Sequence, residues 1–213
     1  MTAPALTWIA SYPRSGNTYL RTILHHAFGL RTASMYSDDL GGNKTLEEYV
    51  GHIEHHPQLE QTLYAEARPL IKTHELPNDD RAAIYIIRDG RAAVASMYEF
   101  FGRKTPLEDI IEGRTRYGQW GQHLQAWNPW ERPNTLLLRY DDLVEQLPQV
   151  LEQISAFLDL PIKSQSIPKR NTIASSDGRW VKKKTSWRSL LQGATLQRFT
   201  ELNREMLKKT GYL

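Results

Sequence analysis

Three short clusters in this 213-residue chain carry side chains suited to chemistry on an anionic substrate. The first is Ser11-Tyr12-Pro13-Arg14-Ser15-Gly16-Asn17-Thr18, lying between an apolar run and an amphipathic segment. A strand–loop–helix junction of this kind holds phosphate through free backbone N–H groups and the positive end of the helix dipole. Gly16 permits close backbone approach, and Ser15 and Thr18 offer hydroxyls. Nucleotide triphosphatases carry G-x-x-x-x-G-K-[ST] at such a junction. Here Ser11 stands in the first glycine place, Asn17 replaces the lysine, and the cation is Arg14, two residues before Gly16. An ordinary strand-to-helix turn is the plain alternative.

The second cluster is Lys72-Thr73-His74. Residues two apart on a strand face the same way, so Lys72 and His74 can address one substrate. Histidine, with a pKa near working pH, is suited to taking the proton from an acceptor hydroxyl. A solvated lysine beside a capping histidine is the bland reading. The third cluster is Arg88 with Ser96, eight residues later. A strand that holds Mg²⁺ for nucleotide hydrolysis places an Asp after its apolar run, whereas here Arg88 follows Ile87 directly. The guanidinium fork suits a phosphate dianion, and a serine hydroxyl adds a donor. A charge pair of Arg88 with Asp89 at a helix start is the structural alternative.

The elements that must position these clusters follow from hydrophobic pattern. Thr7-Trp8-Ile9-Ala10, Pro69–Thr73, Ala83–Ile87 and Thr135–Leu138 read as buried strands. Helices are expected from Thr18 to Gly29, Leu46 to His55, Gly90 to Phe101, twice within 106–127, from Pro148 to Leu158, and around Leu196–Met206. Residues 31–45 and Pro161–Lys184 read as irregular. Continuous apolar strands separated by helices predict a mainly parallel sheet covered on both faces, in one domain spanning 1–213. Ligands of such sheets bind beyond the carboxyl ends of the strands, where all three clusters lie.

Composition narrows the chemistry. The chain has no cysteine, which excludes disulfides, thiolate metal sites and a cysteine nucleophile. No apolar run approaches a membrane span. The net charge of +3 and the run Lys182–Lys184 permit a polyanion-binding protein with no enzymatic role, and the phosphate loop permits a Mg²⁺-dependent P-loop kinase or hydrolase. His52, His55 and His56 have no second ligand cluster to make a metal site. Asp38, Asp39, Glu47 and Glu48 read as a solvated face. Met35, Tyr36, Phe100, Phe101 and Trp120 are candidates to line an acceptor pocket.

Tyr12–Tyr19 resembles the 5'-phosphosulfate loop of cytosolic-type sulfotransferases, Y-P-[KR]-S-G-[TN]-T-[WYFL]. Lys72–Pro77 resembles that family's K-T-H-x-x-[LP], and Arg88 with Ser96 has the spacing of its 3'-phosphate site. Leu137–Leu143 is similar to its L-x-L-R-Y-E-D-L, while Arg179–Arg188 resembles R-K-G-x-x-G-x-W only in its basic residues and Trp187, both glycines being absent. The resemblance implies a P-loop-like α/β fold and the donor 3'-phosphoadenosine-5'-phosphosulfate (PAPS), which leaves PAP as product with no metal. It implies roles as well: His74 as general base, Arg14 at the transferred sulfuryl group and bridging oxygen, and Lys72 at the leaving oxygen. Ser15, Gly16, Asn17 and Thr18 would hold the 5' side, Tyr19 and Tyr140 the adenine, and Arg88, Ser96, Lys182 and Lys183 the 3'-phosphate. The expected partner is a small-molecule hydroxyl or amine acceptor, with neither nucleic acid nor membrane, in a cytoplasmic protein.

Overall fold

The apolar run at residues 7–11 lies at the centre of the molecule. In the computed structural model, which describes residues 6–53, 69–176 and 186–213, it forms β1 (Thr7–Ser11). β1 pairs in parallel with β3 (Leu70–Thr73) on one side and with β4 (Ala82–Ile87) on the other. A two-residue β2 (Ala33–Ser34) extends the β3 edge and β5 (Thr135–Arg139) the β4 edge, both in parallel. The order is β2-β3-β1-β4-β5. Register aligns Ala10 with Thr73 and Ser11 with Ile86. The residues that follow β1, β3 and β4 therefore leave the sheet along one edge.

Period-two alternation sends neighbouring side chains to opposite layers. Ile9, Ile84 and Ile86 join one apolar cluster with Leu20 and Ile23 of α1 (Asn17–Phe28), Leu46 of α2 (Lys44–Val50) and Ile154 of α7 (Leu147–Leu158). Ala10, Ala83, Tyr85 and Ile87 join the other. There they meet α3 (Gly90–Phe100), α4 (Leu107–Ile111), α5 (Trp120–Trp127) and α10 (Gly193–Thr210). Short helices α6 (Tyr140–Glu145), α8 (Arg170–Ser176) and α9 (Trp187–Leu190) complete the described elements. The expected parallel sheet with helices on both faces is the architecture found.

The differences are local. The helix expected to reach His55 ends at Val50, because Gly51 turns left-handed (φ 57°) and its N–H caps the carbonyls of Glu47 and Glu48. Any side chain at 51 would collide with the His25 ring. The chain then runs extended, and His52 bridges Thr32. The stretch 31–45 contains β2, too short for periodicity to reveal, and 161–184 contains α8. The segment 177–185 lies outside the described residues, and so do Lys182, Lys183, His55 and His56.

Candidate active site

The loop after β1 is shaped by two left-handed residues, Arg14 (φ 65°) and Gly16 (φ 103°). A β-carbon at Gly16 would lie 2.5 Å from Cδ2 of Tyr140, so the Tyr140 ring packs directly on the loop backbone. Asn17 does not point outward as the triphosphatase lysine does. Its Nδ2 donates to the carbonyl of Ile9 at 2.9 Å and ties the loop to β1. Among the described residues no side chain caps the N-terminus of α1, and the buried hydroxyl of Ser15 has no hydrogen-bond partner. Uncapped N–H groups are costly to leave unmade, and at this loop they mark a place an anion would occupy.

Arg88 leaves β4 and donates through NH1 to the Arg14 carbonyl at 2.7 Å, with its guanidinium 4.5 Å over the Tyr140 ring. Arg14 Nε donates to Ser96 Oγ at 3.2 Å, and the Arg14 guanidinium lies 4.7 Å over Phe100. Burial, followed by repulsion from Arg170, lowers the Arg88 pKa while Tyr140 opposes the shift. Among the described residues no carboxylate forms an ion pair with Arg88. Asp141 and Asp89 act on Arg88 only through space, without a direct ion pair, so its guanidinium N–H groups remain suited to an anionic ligand.

At the end of β3 the backbone of His74 is fixed from both sides. Its N–H donates to Tyr36 Oη at 2.8 Å, and its carbonyl accepts from His123 Nε2 at 3.0 Å. Since His123 donates through Nε2, its Nδ1 accepts from the Tyr85 hydroxyl at 2.8 Å. The His74 ring places Nδ1 2.7 Å from the Ser11 carbonyl. A carbonyl only accepts, so Nδ1 carries the proton and Nε2 is the basic nitrogen. Burial, and then the charge of Lys72, push the His74 pKa well below its usual value, so the ring is neutral at neutral pH. Tyr36 stacks on it at 5.8 Å and Tyr117 meets it edge-on at 5.8 Å.

Lys72 is not solvated. Its Nζ pairs with Asp39 Oδ1, while Asp39 Oδ2 pairs with Arg21. Asp39, expected on a solvated face, has a side chain only 2% exposed; its two cations are 18 residues before it and 33 after it, a separation that no local pattern encodes. Arg21 also donates from Nε to Thr32 Oγ1 at 2.7 Å and meets His52 Nδ1 at 3.0 Å. Among the described residues no cluster of three or more His, Asp or Glu could hold a metal.

These groups share one cavity of about 530 Å³. Arg14, Gly16, Asn17, Thr18 and Tyr19 line it from the loop and α1, Lys72, His74, Arg88 and Tyr140 from the ends of the other strands, and Ser96 from α3. Ser15 lies beneath the lining, 1% exposed. Met35, Tyr36, Phe100 and Phe101 also line the cavity. Trp120 does not, because it is buried against Gly90, where any β-carbon would strike its ring. Asp39, Tyr117 and Arg170 line the cavity as well, and sequence reading did not place them there. Arg170 falls in a stretch too polar to show helical period.

Cations, helix N-terminus and neutral histidine thus surround one anion-shaped cavity at the switch point of a parallel sheet. A model of the sulfotransferase domain matches residues 4–211. The chain belongs to the sulfotransferase domain family. This sulfotransferase domain is similar to human Sulfotransferase 4A1, with 26% identity over 177 residues, covering 73% of this chain and 60% of the relative. The chain thus spans about 60% of the length of the first curated relatives it matches. Its fold is that of mouse sulfotransferase SULT7A1 complexed with PAP (TM-score 0.66, 18% identity, covering 97% of this chain and 84% of that one). It is also that of retinol dehydratase in a complex with retinol and PAP (TM-score 0.64, 17% identity, covering 98% and 82%).

Proposed function

We propose that this sulfotransferase domain transfers a sulfuryl group from PAPS to a hydroxyl or amine of a small-molecule acceptor, giving PAP and a sulfated product. The observation that carries the reading is His74. Its Nδ1–H is locked on the Ser11 carbonyl, which leaves a neutral, basic Nε2 in the same cavity as the phosphate loop and Arg88. The solved structures with PAP in SULT7A1 and retinol dehydratase support the nucleotide.

The residues present fit this donor. The partnerless Ser15 hydroxyl, the uncapped α1 and the glycine cradle at Gly16 suit a 5'-phosphate. Arg88 and Ser96 suit a 3'-phosphate, to which the family resemblance also assigns Lys182 and Lys183, and Tyr19 and Tyr140 offer ring faces for adenine. PAPS, when bound, supplies a sulfuryl group on a phosphate leaving group. His74 takes the acceptor proton at Nε2. Arg14 and Lys72 neutralise charge growing on the leaving oxygen, in a buried setting where such interactions are strong. Met35, Tyr36, Phe100, Phe101 and Tyr117 favour an acceptor with an apolar body. Three buried or half-buried cations do the work a metal would do, so the reaction needs none. The similarity to cytosolic-type relatives carries the further proposal of a cytoplasmic location, and two apolar clusters sharing one sheet carry that of a single domain. Among the described residues no helix is long and apolar enough to cross a membrane.

The kinase reading is disfavoured by Asn17, turned inward on Ile9 where the catalytic lysine would stand. The polyanion reading is disfavoured because Arg14, Lys72 and Arg88 line a cavity beside His74 rather than an exposed helix face. Calorimetric titration of PAP with and without Mg²⁺, beside ATP with Mg²⁺, tests the proposal. Tight PAP binding indifferent to Mg²⁺ is expected, and ATP binding that needs Mg²⁺ without PAP binding would overturn it.

A further inference from the structure

Two buried cations, Arg21 of α1 and Lys72 of β3, share one buried carboxylate, that of Asp39. Arg21 is wholly buried and additionally held by Thr32, whereas Lys72 lines the cavity. The Asp39 carboxylate therefore faces the cavity with one oxygen on each cation. Burial disfavours an ammonium, and so does a like charge close by. Arg21 and Arg14 both act on Lys72 in this way, and Asp39 opposes them. Among the described residues, the neutral His74 and the Tyr36 ring, 5.5 Å from Nζ, also face Lys72.

We infer that Asp39 is a positioning residue that keeps Lys72 a charged ammonium at the leaving-oxygen side of the cavity, in competition with Arg21 for the same carboxylate. This rests on the reading of Lys72 given above. Asp39 touches no reacting atom. It acts by fixing where Nζ sits and by making its proton hard to lose. Arg21, tied to α1 just behind the phosphate loop, fixes the carboxylate in turn. With Asp39 removed, Lys72 is left among cations and burial alone, and its proton leaves at lower pH. The sign follows directly: Lys72 binds an anion when protonated, so anion affinity declines as pH rises through its pKa, and losing Asp39 moves that decline toward neutrality.

The test is PAP affinity as a function of pH, by calorimetry, for the unsubstituted chain, Asp39→Asn and Lys72→Met. At pH 6.5 the Asn variant should bind PAP at least as tightly as the unsubstituted chain, since a negative charge beside the anion has gone. Its alkaline decline should begin about one pH unit or more earlier, an approximately tenfold difference in affinity on that limb. In Lys72→Met that limb should be absent, and Asp39→Asn added to it should not restore it. Arg21→Gln is the second variant, available if the Asn variant fails to fold. It leaves the whole carboxylate to Lys72 and should move the limb the other way, to higher pH. Parallel pH curves for the unsubstituted chain and Asp39→Asn, or a uniform loss at every pH, would overturn the inference while leaving the proposed function intact. No PAP binding by the unsubstituted chain at any pH would sink both.

Discussion

At the scale of single residues, the distinction that matters is between groups that bind and groups that move a proton. His74 is fixed by its ring nitrogen and by both backbone partners, and none of these contacts is to the phosphate loop cations. His74→Ala should therefore lower kcat by about 10²–10⁴-fold, with PAP affinity by calorimetry changed only slightly; a matching loss of PAP affinity would remove it from the role of base. Because burial depresses its pKa well below the usual value, the acid limb of kcat/KM should lie below the usual histidine range, since only protonation at Nε2 silences the base. Arg88→Ala should weaken PAP far more than AMP, which lacks the 3'-phosphate, and equal losses for both would deny Arg88 that contact. These residues were legible in sequence because each ends a strand in a short contiguous motif. Asp39, Arg21 and Arg170 were not, because their partners are distant in the chain and no spacing rule links them.

At the scale of elements, the phosphate loop depends on one glycine. Gly16 combines φ 103° with direct contact to the Tyr140 ring. Gly16→Ala meets both a left-handed backbone and a collision, so a loss of about 1–3 kcal/mol in stability is expected, together with most PAP-induced thermal stabilisation. Gly42→Ala is the contrast. It is also left-handed, at φ 69°, but has open space around it. Its variant should lose some stability and keep the PAP-induced shift; equal effects of the two on PAP would mean the Tyr140 contact is irrelevant. Long helices with strong apolar stripes were readable, α7 and α10 among them, because packing and period agree there. The end of α2 was misjudged because Gly51 stops a helix that its flanking residues would have continued, and β2 was missed because two residues carry no period.

At the scale of the whole molecule, the parallel sheet was legible because β1, β4 and β5 are apolar runs with helical segments between them. Strand order was not, since pairing is set by contacts between segments far apart in sequence. Depth of burial then governs the acid response. His123, wholly buried between Tyr85 and the His74 carbonyl, has its pKa lowered to about 4 by burial. As pH falls through the ordinary histidine value, the unfolded chain takes up a proton that the folded one refuses, so stability declines between about pH 6.5 and 4. The loss from this one group is up to about 3 kcal/mol, and His74 adds to it with the same sign. Urea midpoints should fall over that window, and a flat profile would contradict the burial described. The sheet order also bears on synthesis. β1 emerges from the ribosome before both strands that cover its edges, β3 and β4, which lie at 70–73 and 82–87. A nascent chain therefore carries a bare, apolar central strand through nearly sixty further residues, the kind of exposed edge that recruits foreign strands. Chains halted before residue 70 should aggregate or occupy chaperones, while chains extending past β4 should begin to resist protease.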